Sequence, residues 1–134
     1  VRSLLHVGFL NVSSTASIGY EDAKRMGSDI LSVRQARKIG MSKVAEQLTK
    51  NSRIYVTIDI DAFCPSIASG TGTPSHGGFL YYEVLELLQE VSKRHRVIGI
   101  DLVEVAPDYD ASGSTQILAA QILMNFLGFI FHNR

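Results

Sequence analysis

Two aspartates at the end of one apolar run constrain this chain more than any other feature. Residues 54–58 are all β-branched or aromatic, which is the composition of a strand buried on both faces of a sheet. Asp59 and Asp61 follow, and residues two apart on an extended chain point to the same side. Two anionic groups at the carboxyl end of a buried strand lie where α/β sheets bind ligands, and they repel unless a cation lies between them. A hard metal ion is the natural candidate, and loop capping is the alternative that the residues leave open.

Strand-like and helix-like segments alternate along the chain. Apolar runs predict strands at residues 4–10, 29–31, 54–58 and 97–105. Helical spacing and capping residues predict helices at residues 21–26, 33–38 (capped by Ser32), from Ser42 onwards, 81–93 and 115–131. This order predicts an α/β fold with a parallel sheet covered by helices on both faces. Two loops interrupt this alternation of strands and helices, one at residues 11–17 and a longer one at residues 60–78. Loops as long as the one at residues 60–78 are usually functional or disordered.

Composition narrows the class of protein. A chain of 134 residues, 46% hydrophobic and 19% charged, is the size and type of one globular domain, so residues 1–134 are treated as a single domain. Lys plus Arg and Asp plus Glu number 13 each, so no overall charge favours nucleic acid or an anionic membrane. The last helix is apolar nearly all round, but its apolar part is shorter than the ~18 residues of a membrane span. We therefore expect it to be buried in a large core.

The single cysteine, Cys64, excludes an internal disulfide and favours a reducing compartment, so we expect a cytoplasmic protein. No secretory leader is recognised at the start of the sequence. The sequence does not begin with Met, and we expect it to be a fragment or a processed chain.

The segments RIYVTIDIDAFCPSIASGTGTPSHGG (residues 53–78) and GIDLVEVAP (residues 99–107) resemble the ureohydrolase family, which includes the arginases and agmatinases. The segment GTGTPSHGGFLYYEVLELL is most similar to agmatinase-like guanidino-compound hydrolases. The resemblance implies the C-terminal portion of a three-layer αβα sandwich with a parallel sheet, of the arginase/deacetylase type. It also implies hydrolysis of a guanidino compound (agmatine-like or a small guanidine) to urea at a binuclear metal centre with a bridging hydroxide. The family's usual metal is Mn²⁺, two ions per site, with Ni²⁺ in the guanidine-acting branch, and its members are homo-oligomers (trimers or hexamers).

The resemblance assigns roles to matching residues. It implies that Asp59 bridges two metal ions and that Asp61 binds one of them. Glu104 aligns with the glutamate that pairs with the substrate guanidinium, and Thr73 with a threonine near the nucleophile. His76 is expected to line the substrate entrance. The alternatives are a solvent-facing strand end for Glu104, a turn-stabilising hydroxyl for Thr73 and an exposed turn for His76.

The chain departs from the family pattern in three ways. Cys64 occupies the place of a third aspartate, and Ser69 replaces the proline before Gly-Thr-Gly-Thr-Pro. The family's upstream histidine and Asp-Ala-His-x-Asp motif have no counterpart in residues 1–52. We therefore expect half of the metal site, and no activity from residues 1–134 alone. The competing hypothesis is a non-catalytic truncated paralogue that acts as a structural or regulatory subunit.

Other readings of the motifs fail on particular residues. A phosphate-binding loop at residues 70–73 lacks the Lys-[Ser/Thr] end of that motif. In haloacid-dehalogenase phosphatases the acidic pair ends the first strand and continues into Gly-Thr, which is not the case here. Among the remaining histidines, His6 is predicted to lie in the core, and His95 and His132 on the surface.

Overall fold

The computed structural model describes residues 3–9 and 17–132, which form an α/β fold with parallel strands. The strands are β1 (Leu4–Phe9), β2 (Ser28–Ser32), β3 (Arg53–Asp59) and β4 (Arg96–Val103). The helices are α1 (Ser17–Arg25), α2 (Val33–Ile39), α3 (Met41–Glu46), α4 (Tyr81–Arg94) and α5 (Ser114–His132). Single 3₁₀ turns at Ile60–Ala62 and Pro107–Tyr109 lie after β3 and β4. The predicted element types are confirmed, and all but the last residue of the predicted loop at 11–17 lies outside the described residues.

The predicted cap of α2 by Ser32 is present, whereas the predicted cap of α3 by Ser42 is not. The Ser32 hydroxyl accepts the Gln35 amide at 3.2 Å, and the Gln35 side chain accepts the Ser32 amide at 2.9 Å, which confirms the predicted cap of α2. Ser42 was predicted to cap α3 and does not, because α3 already begins one residue earlier. Its hydroxyl instead accepts a hydrogen bond from Arg94 at 2.9 Å and donates one to Glu90 at 3.4 Å. Ser42 therefore ties α3 to α4.

The four strands form two separate parallel pairs. β1 pairs with β2, and β3 pairs with β4. Arg53 lies beside Arg96 at the start of the second pair, and Asp59 lies beside Val103 at its end. Because the strands are parallel, their carboxyl ends meet at one edge of the sheet. Glu104, one residue beyond Val103, is thereby brought to the same edge as Asp59.

Only one face of the β3–β4 pair is covered by the described residues. Ile58 is buried, and its neighbours on that face pack against the apolar core that α4 and α5 share, namely Ile54, Val56, Ile100 and Leu102. On the opposite face Thr57 is exposed and Tyr55 is 59% exposed. The prediction that residues 54–58 are buried on both faces is therefore wrong for this chain as described, since no described helix packs on the Tyr55 side.

Helix α5 is also buried on one side only. Leu118, Ile122 and Phe126 are buried against the core, whereas Ile117 is 58% exposed and Met124 69% exposed. The prediction that the helix is buried in a large core therefore holds for one face among the described residues, because α4 contacts only that face. At 19 residues α5 is also longer than expected, and by length and composition alone it could cross a membrane. Core helices of globular proteins pass the same test.

The structure changes two of the three histidine predictions. His95 is buried (8% exposed), with Nδ1 at 3.2 Å from the Ser52 hydroxyl and Nε2 at 3.4 Å from the Ala45 carbonyl oxygen. It fills the space between α3 and the start of β3, so its predicted surface position is wrong. His6 is exposed rather than in the core, because the described helices do not cover its side of β1. His132 is exposed, as predicted.

Candidate active site

The two aspartates lie where β3 turns into the following 3₁₀ turn. Asp59 keeps extended backbone angles, and its Oδ1 accepts the amide of Asp61 at 3.0 Å. Ile60, between them, is fully buried and anchors the turn in the core. Both aspartates are half-buried. The alternation of one buried apolar residue between two acids therefore directs the carboxyl groups to a common side.

The surroundings of Asp59 raise the pKa of its carboxyl group. Burial raises the pKa of the Asp59 carboxyl, and hydrogen bonding to the Asp61 carboxyl and the charges of Asp61 and Glu104 raise it further. The amide of Asp61 lowers the same pKa, but not enough to reverse the direction. Three acids thus act on one another at the carboxyl ends of β3 and β4. A bound cation would relieve this repulsion.

The long loop after β3 reaches back to the acids through Thr73. The Thr73 hydroxyl donates a hydrogen bond of 2.9 Å to Oδ2 of Asp61, twelve residues earlier. Thr73 itself is exposed, so its hydroxyl lies at the mouth of the site rather than in the core. This contact fixes the orientation of the Asp61 carboxylate. The structure therefore brings Asp59, Asp61 and Thr73 together.

Glu104 has an unusual backbone conformation. Its φ is +65°, in the left-handed region that residues other than Gly, Asn and Asp rarely adopt. Such a conformation costs about 1–2 kcal/mol relative to ordinary angles. It directs the chain out of β4 and leaves the Glu104 side chain exposed at the edge where Asp59 ends. Strain of this kind at a strand end is typical of functional sites.

His76 is not joined to the acids. It is exposed in the loop three residues after Thr73. Within residues 3–9 and 17–132 it takes part in no hydrogen bond or ion pair with Asp59, Asp61 or Glu104. Its predicted place at a substrate entrance stays a prediction.

A buried network around Asp110, which was not predicted from the sequence, holds the loop in place. One carboxylate oxygen of Asp110 accepts the Thr115 amide at 2.7 Å and the Thr115 hydroxyl at 2.6 Å. The other accepts the Ser112 amide at 3.0 Å and the Ser112 hydroxyl at 2.6 Å. These donors hold the pKa of the Asp110 carboxyl well below its usual range. The sequence signal was an acid in a Gly/Ser-rich turn directly before a helix, which is typical of a capping motif.

The same network reaches the glycine-rich part of the loop. The Thr115 hydroxyl accepts the Gly70 amide at 2.9 Å, and the Gly70 carbonyl accepts the Ala106 amide at 2.8 Å. A Cβ at Gly70 would lie 2.8 Å from the Cβ of Asp110, so only glycine fits. The start of the Gly-Thr-Gly-Thr-Pro segment is thus clamped between the end of β4 and the start of α5.

The far end of the loop is held by a second clamp. Arg37 of α2 contacts Glu83 of α4 at 2.7 and 2.9 Å and donates to the Gly78 carbonyl at 2.9 Å. Glu83 also accepts the Leu80 amide at 2.7 Å. A Cβ at Gly78 would lie 2.4 Å from the backbone of Phe63, so the two loop ends cross in direct contact. Both ends of the loop are therefore rigidly attached, which limits where Thr73 can lie.

Two of the three departures from the family pattern, Cys64 and Ser69, make hydrogen bonds within the loop. The Cys64 sulfur accepts a hydrogen bond from the Ser66 hydroxyl at 3.2 Å, which lowers the pKa of the thiol. The Ser69 carbonyl accepts the Thr71 amide at 3.0 Å. Neither Cys64 nor Ser69 is hydrogen-bonded to Asp59 or Asp61 in the described part of the chain.

The donor set fits one side of a metal centre. Carboxylate oxygens such as those of Asp59 and Asp61 are the donors that Mn²⁺ and Mg²⁺ prefer, and the hydrogen bond from the Asp61 amide to Oδ1 of Asp59 holds the two residues together. Among the described residues no group of three or more His, Cys, Asp and Glu side chains forms a cluster able to hold a metal ion. A complete centre therefore needs ligands from outside these residues.

The comparisons with known proteins agree with this arrangement. The model of the Arginase family matches residues 1–128. The agmatinase of Blochmanniella floridana is 34% identical over 128 residues, which is 92% of this chain and 42% of its own length. The mitochondrial guanidino acid hydrolase of Homo sapiens is 42% identical over 87 residues, which is 65% of this chain and 24% of its own length.

Solved structures show the same relationship. The chain matches proclavaminate amidino hydrolase from Streptomyces clavuligerus with a TM-score of 0.86 and 31% identity, over 97% of this chain and 44% of that one. It matches the agmatine ureohydrolase of Thermoplasma volcanium with a TM-score of 0.80 and 28% identity, over 96% of this chain and 42% of that one. The chain thus spans less than half the length of these relatives, and the predicted fold, a portion of the arginase fold, is confirmed. By sequence and by structure, the chain belongs to the arginase family.

Proposed function

We propose that the protein hydrolyses a C–N bond of a small guanidino compound and releases urea. The observation that carries the proposal is the convergence of Asp59, Asp61 and the strained Glu104 at the carboxyl ends of two adjacent parallel strands. The similarity to an agmatinase and to a guanidino acid hydrolase supports a guanidino substrate. The substrate class is agmatine-like, or a small guanidine.

Asp59 and Asp61 are proposed as ligands of a binuclear Mn²⁺ centre, with Ni²⁺ as the alternative metal. Such a centre supplies a hydroxide nucleophile near neutral pH, which the resonance-stabilised guanidinium carbon requires. Asp59 would be one of the residues that hold the metal, because its half-buried carboxyl lies at the end of β3 and is acted on by the charges of Asp61 and Glu104. Asp61 is oriented by the Thr73 hydroxyl, so Thr73 acts on the reaction through Asp61.

Glu104 is proposed to bind the substrate. Its carboxylate can accept two parallel N–H bonds from the planar guanidinium, which orients the electrophilic carbon. The left-handed backbone of Glu104 places the side chain at the edge of the sheet without extending β4. His76, exposed on the loop, is proposed to line the substrate entrance.

Groups outside the described residues would complete the site. The Thr71 hydroxyl and Oδ1 of Asp101 are buried without a hydrogen-bond partner in the described part of the chain. Polar atoms left in this state cost about 1–3 kcal/mol each, so partners from elsewhere in the protein are favoured. Because the described residues contain no cluster of three or more possible metal ligands, residues 1–134 alone are proposed to be inactive. A cytoplasmic location and a homo-oligomer, trimeric or hexameric, complete the proposal.

One observation favours a second candidate function. The described residues provide two carboxylate ligands and no third. A chain that lacked the remaining ligands would keep the fold and act as a structural or regulatory subunit without catalysis.

Urea release by the full natural protein separates the two functions. The assay compares agmatine, arginine, guanidinobutyrate and guanidine, with added Mn²⁺ or Ni²⁺ and after chelation. Metal-dependent urea release from one of them supports the enzyme. Absence of urea release from all four, in folded protein supplied with either metal, contradicts the enzyme, and failure of the same protein to retain metal ions after dialysis supports the subunit.

A further inference from the structure

The outer face of α5, which points away from the core, is apolar and uncharged. It is formed by five exposed residues, namely Ile117, Ala120, Met124, Leu127 and Gly128. The 19 residues of α5 include no Asp, Glu, Lys or Arg. Surface helices normally carry charged residues on the side that faces water, and a helix that is apolar nearly all round is typical of a buried position. The outer face of α5 is therefore suited to burial, like the inner one.

This outer face lies opposite the packed face of the helix. Met124 is two residues from Ile122 and from Phe126, which are both fully buried. At about 100° per residue, Met124 lies about 200° around the helix from each of them. The uncovered face of the β3–β4 pair, at Tyr55, is on the other side of the sheet from α5. A helical layer that covers Tyr55 therefore leaves Met124 exposed, so the outer face of α5 needs a different partner.

The residues of the outer face are arranged symmetrically about Met124. Ala120 and Gly128 lie four residues before and after it, and Ile117 and Leu127 lie towards the two ends. When two copies of this helix pair antiparallel and are centred on Met124, Ala120 of each copy faces Gly128 of the other. No atom of the described residues lies within 4 Å of a Cβ placed at Gly128, so the space above it is open. Small residues at these positions let the two backbones approach closely.

We propose that the outer face of α5 is the contact between two copies of this protein, related by a two-fold axis at Met124. Each copy then meets a surface as apolar and uncharged as its own, so no unpaired charge is buried. A membrane surface is a poorer partner, because helices that lie on membranes carry Lys or Arg beside their apolar face.

The two-fold contact rests on the proposed homo-oligomer and selects one of its two forms. A two-fold axis joins subunits in pairs, so it cannot occur in a simple trimer, whereas a hexamer contains such pairs. α5 is about 28 Å long and about 10 Å wide, and such a strip is smaller than the ~800 Å² per subunit of a standard interface. The contact is therefore reversible, and charge placed at its centre is sufficient to separate it.

The mass of the full natural protein and of its charge variants, measured by sedimentation velocity, tests this contact. The unchanged protein should be a hexamer. Met124→Lys and Met124→Glu should each give particles of half that mass, because like charges then face each other across the axis. An equimolar mixture of the two variants should restore the hexamer, because each charge then faces its opposite. Met26→Lys, at an exposed methionine after α1, is the matched control and should keep the full mass.

Several results would overturn the contact. One is a hexamer that both Met124 variants leave intact, and another is a pair of dissociated variants that do not reassemble on mixing. A lower unfolding temperature without a change in mass would mean that another segment of the same subunit covers Met124. Sedimentation with lipid vesicles that Met124→Lys abolishes would assign the face to a membrane.

The assembly and the proposed activity can fail separately. A monomer or a trimer in the unchanged protein contradicts the two-fold contact, whatever its activity. Urea release is measured in the same samples, and a hexamer that releases no urea from any of the four substrates contradicts the enzyme while the contact stands.

Discussion

The hydroxyl of Thr73 donates a hydrogen bond of 2.9 Å to Oδ2 of Asp61, and this bond joins the long loop to the end of β3. Asp61 also donates its amide to Asp59 at 3.0 Å, so its position is determined from two sides. The first prediction follows from this contact. Thr73→Val should lower metal affinity or kcat/KM in the full protein by about 10- to 100-fold, which is the usual cost of losing a hydrogen bond to a metal ligand. Thr73→Ser keeps the hydroxyl and should restore most of the loss. If the Val and Ser variants have the same metal affinity and the same kcat/KM, the Thr73 hydroxyl does not act on the site and Thr73 only stabilises the turn.

The acidic pair gives the second prediction. Asp59→Asn and Asp61→Asn should each lower the metal content of the full protein and remove nearly all urea release, because each replaces an anionic ligand by a neutral amide. Metal content is measured by elemental analysis after dialysis. Asp29→Asn, at an exposed aspartate of β2, is the matched control and should keep its metal. A full metal complement in both site variants would remove Asp59 and Asp61 from the ligand set.

Glu104 gives a prediction about catalysis. Glu104→Gln should keep the bound metal but lower kcat/KM roughly 10- to 150-fold. This corresponds to a loss of about 1.5–3 kcal/mol of transition-state stabilisation, because the guanidinium loses a charged partner. Glu86→Gln, on the exposed face of α4, controls for the loss of one acidic charge. If kcat/KM with the best substrate is the same in both variants, Glu104 does not contact the substrate.

The backbone of Glu104 gives a separate prediction about stability. Glu104→Gly should be more stable than Glu104→Ala by about 1 kcal/mol, because glycine adopts a φ of +65° without strain. Urea unfolding of the two variants measures the difference. Equal stability would mean that the strand end relaxes to ordinary angles in solution.

Asp110 gives a prediction about pH. Its pKa is lower in the folded chain than in the unfolded one, so the unfolded chain binds the proton more readily as the pH falls. The stability that Asp110 contributes is therefore present at neutral pH, and it is lost progressively from about pH 4 downward. Asp110→Asn should be less stable than the unchanged protein at pH 7, and the difference should shrink in acid.

The matched control for this variant is Asp108→Asn, an exposed aspartate two residues earlier. It should change stability little at any pH. A difference between Asp110→Asn and the unchanged protein that stays constant from pH 7 to acid would contradict the assigned role of the Asp110 charge.

The sequence predicted those parts of the fold and site that depend on neighbouring residues. The end of β3, predicted at Ile58 and found at Asp59, follows from the change from β-branched residues to acids, and the cap of α2 follows from the position of Ser32 directly before the helical segment. The alternation of Asp59, Ile60 and Asp61 is enough to predict that the carboxyl groups converge. In each case the determining contacts lie within three residues.

Features that depend on distant segments were not predictable in this way. Gly70 and Thr115 are 45 residues apart, so their hydrogen bond has no signal in either local pattern. The left-handed backbone of Glu104 is set by the packing around it, since glutamate does not favour that region. An apolar composition indicates that a surface is suited to burial, but it does not identify the segment that covers that surface. The face at Tyr55 was therefore predicted to be buried, although the described residues leave it exposed.

The Asp110 network also determines how this region opens to solvent. The amides of Gly70, Ala106 and Thr115 all donate within it, and they belong to the loop, to the segment after β4 and to α5. None of the three can exchange its hydrogen with water unless the shared contacts at Gly70 and Thr115 separate. In native-state hydrogen exchange these amides should therefore share one opening free energy, although they are far apart in sequence. Asp110→Asn should raise the exchange rates of all three together.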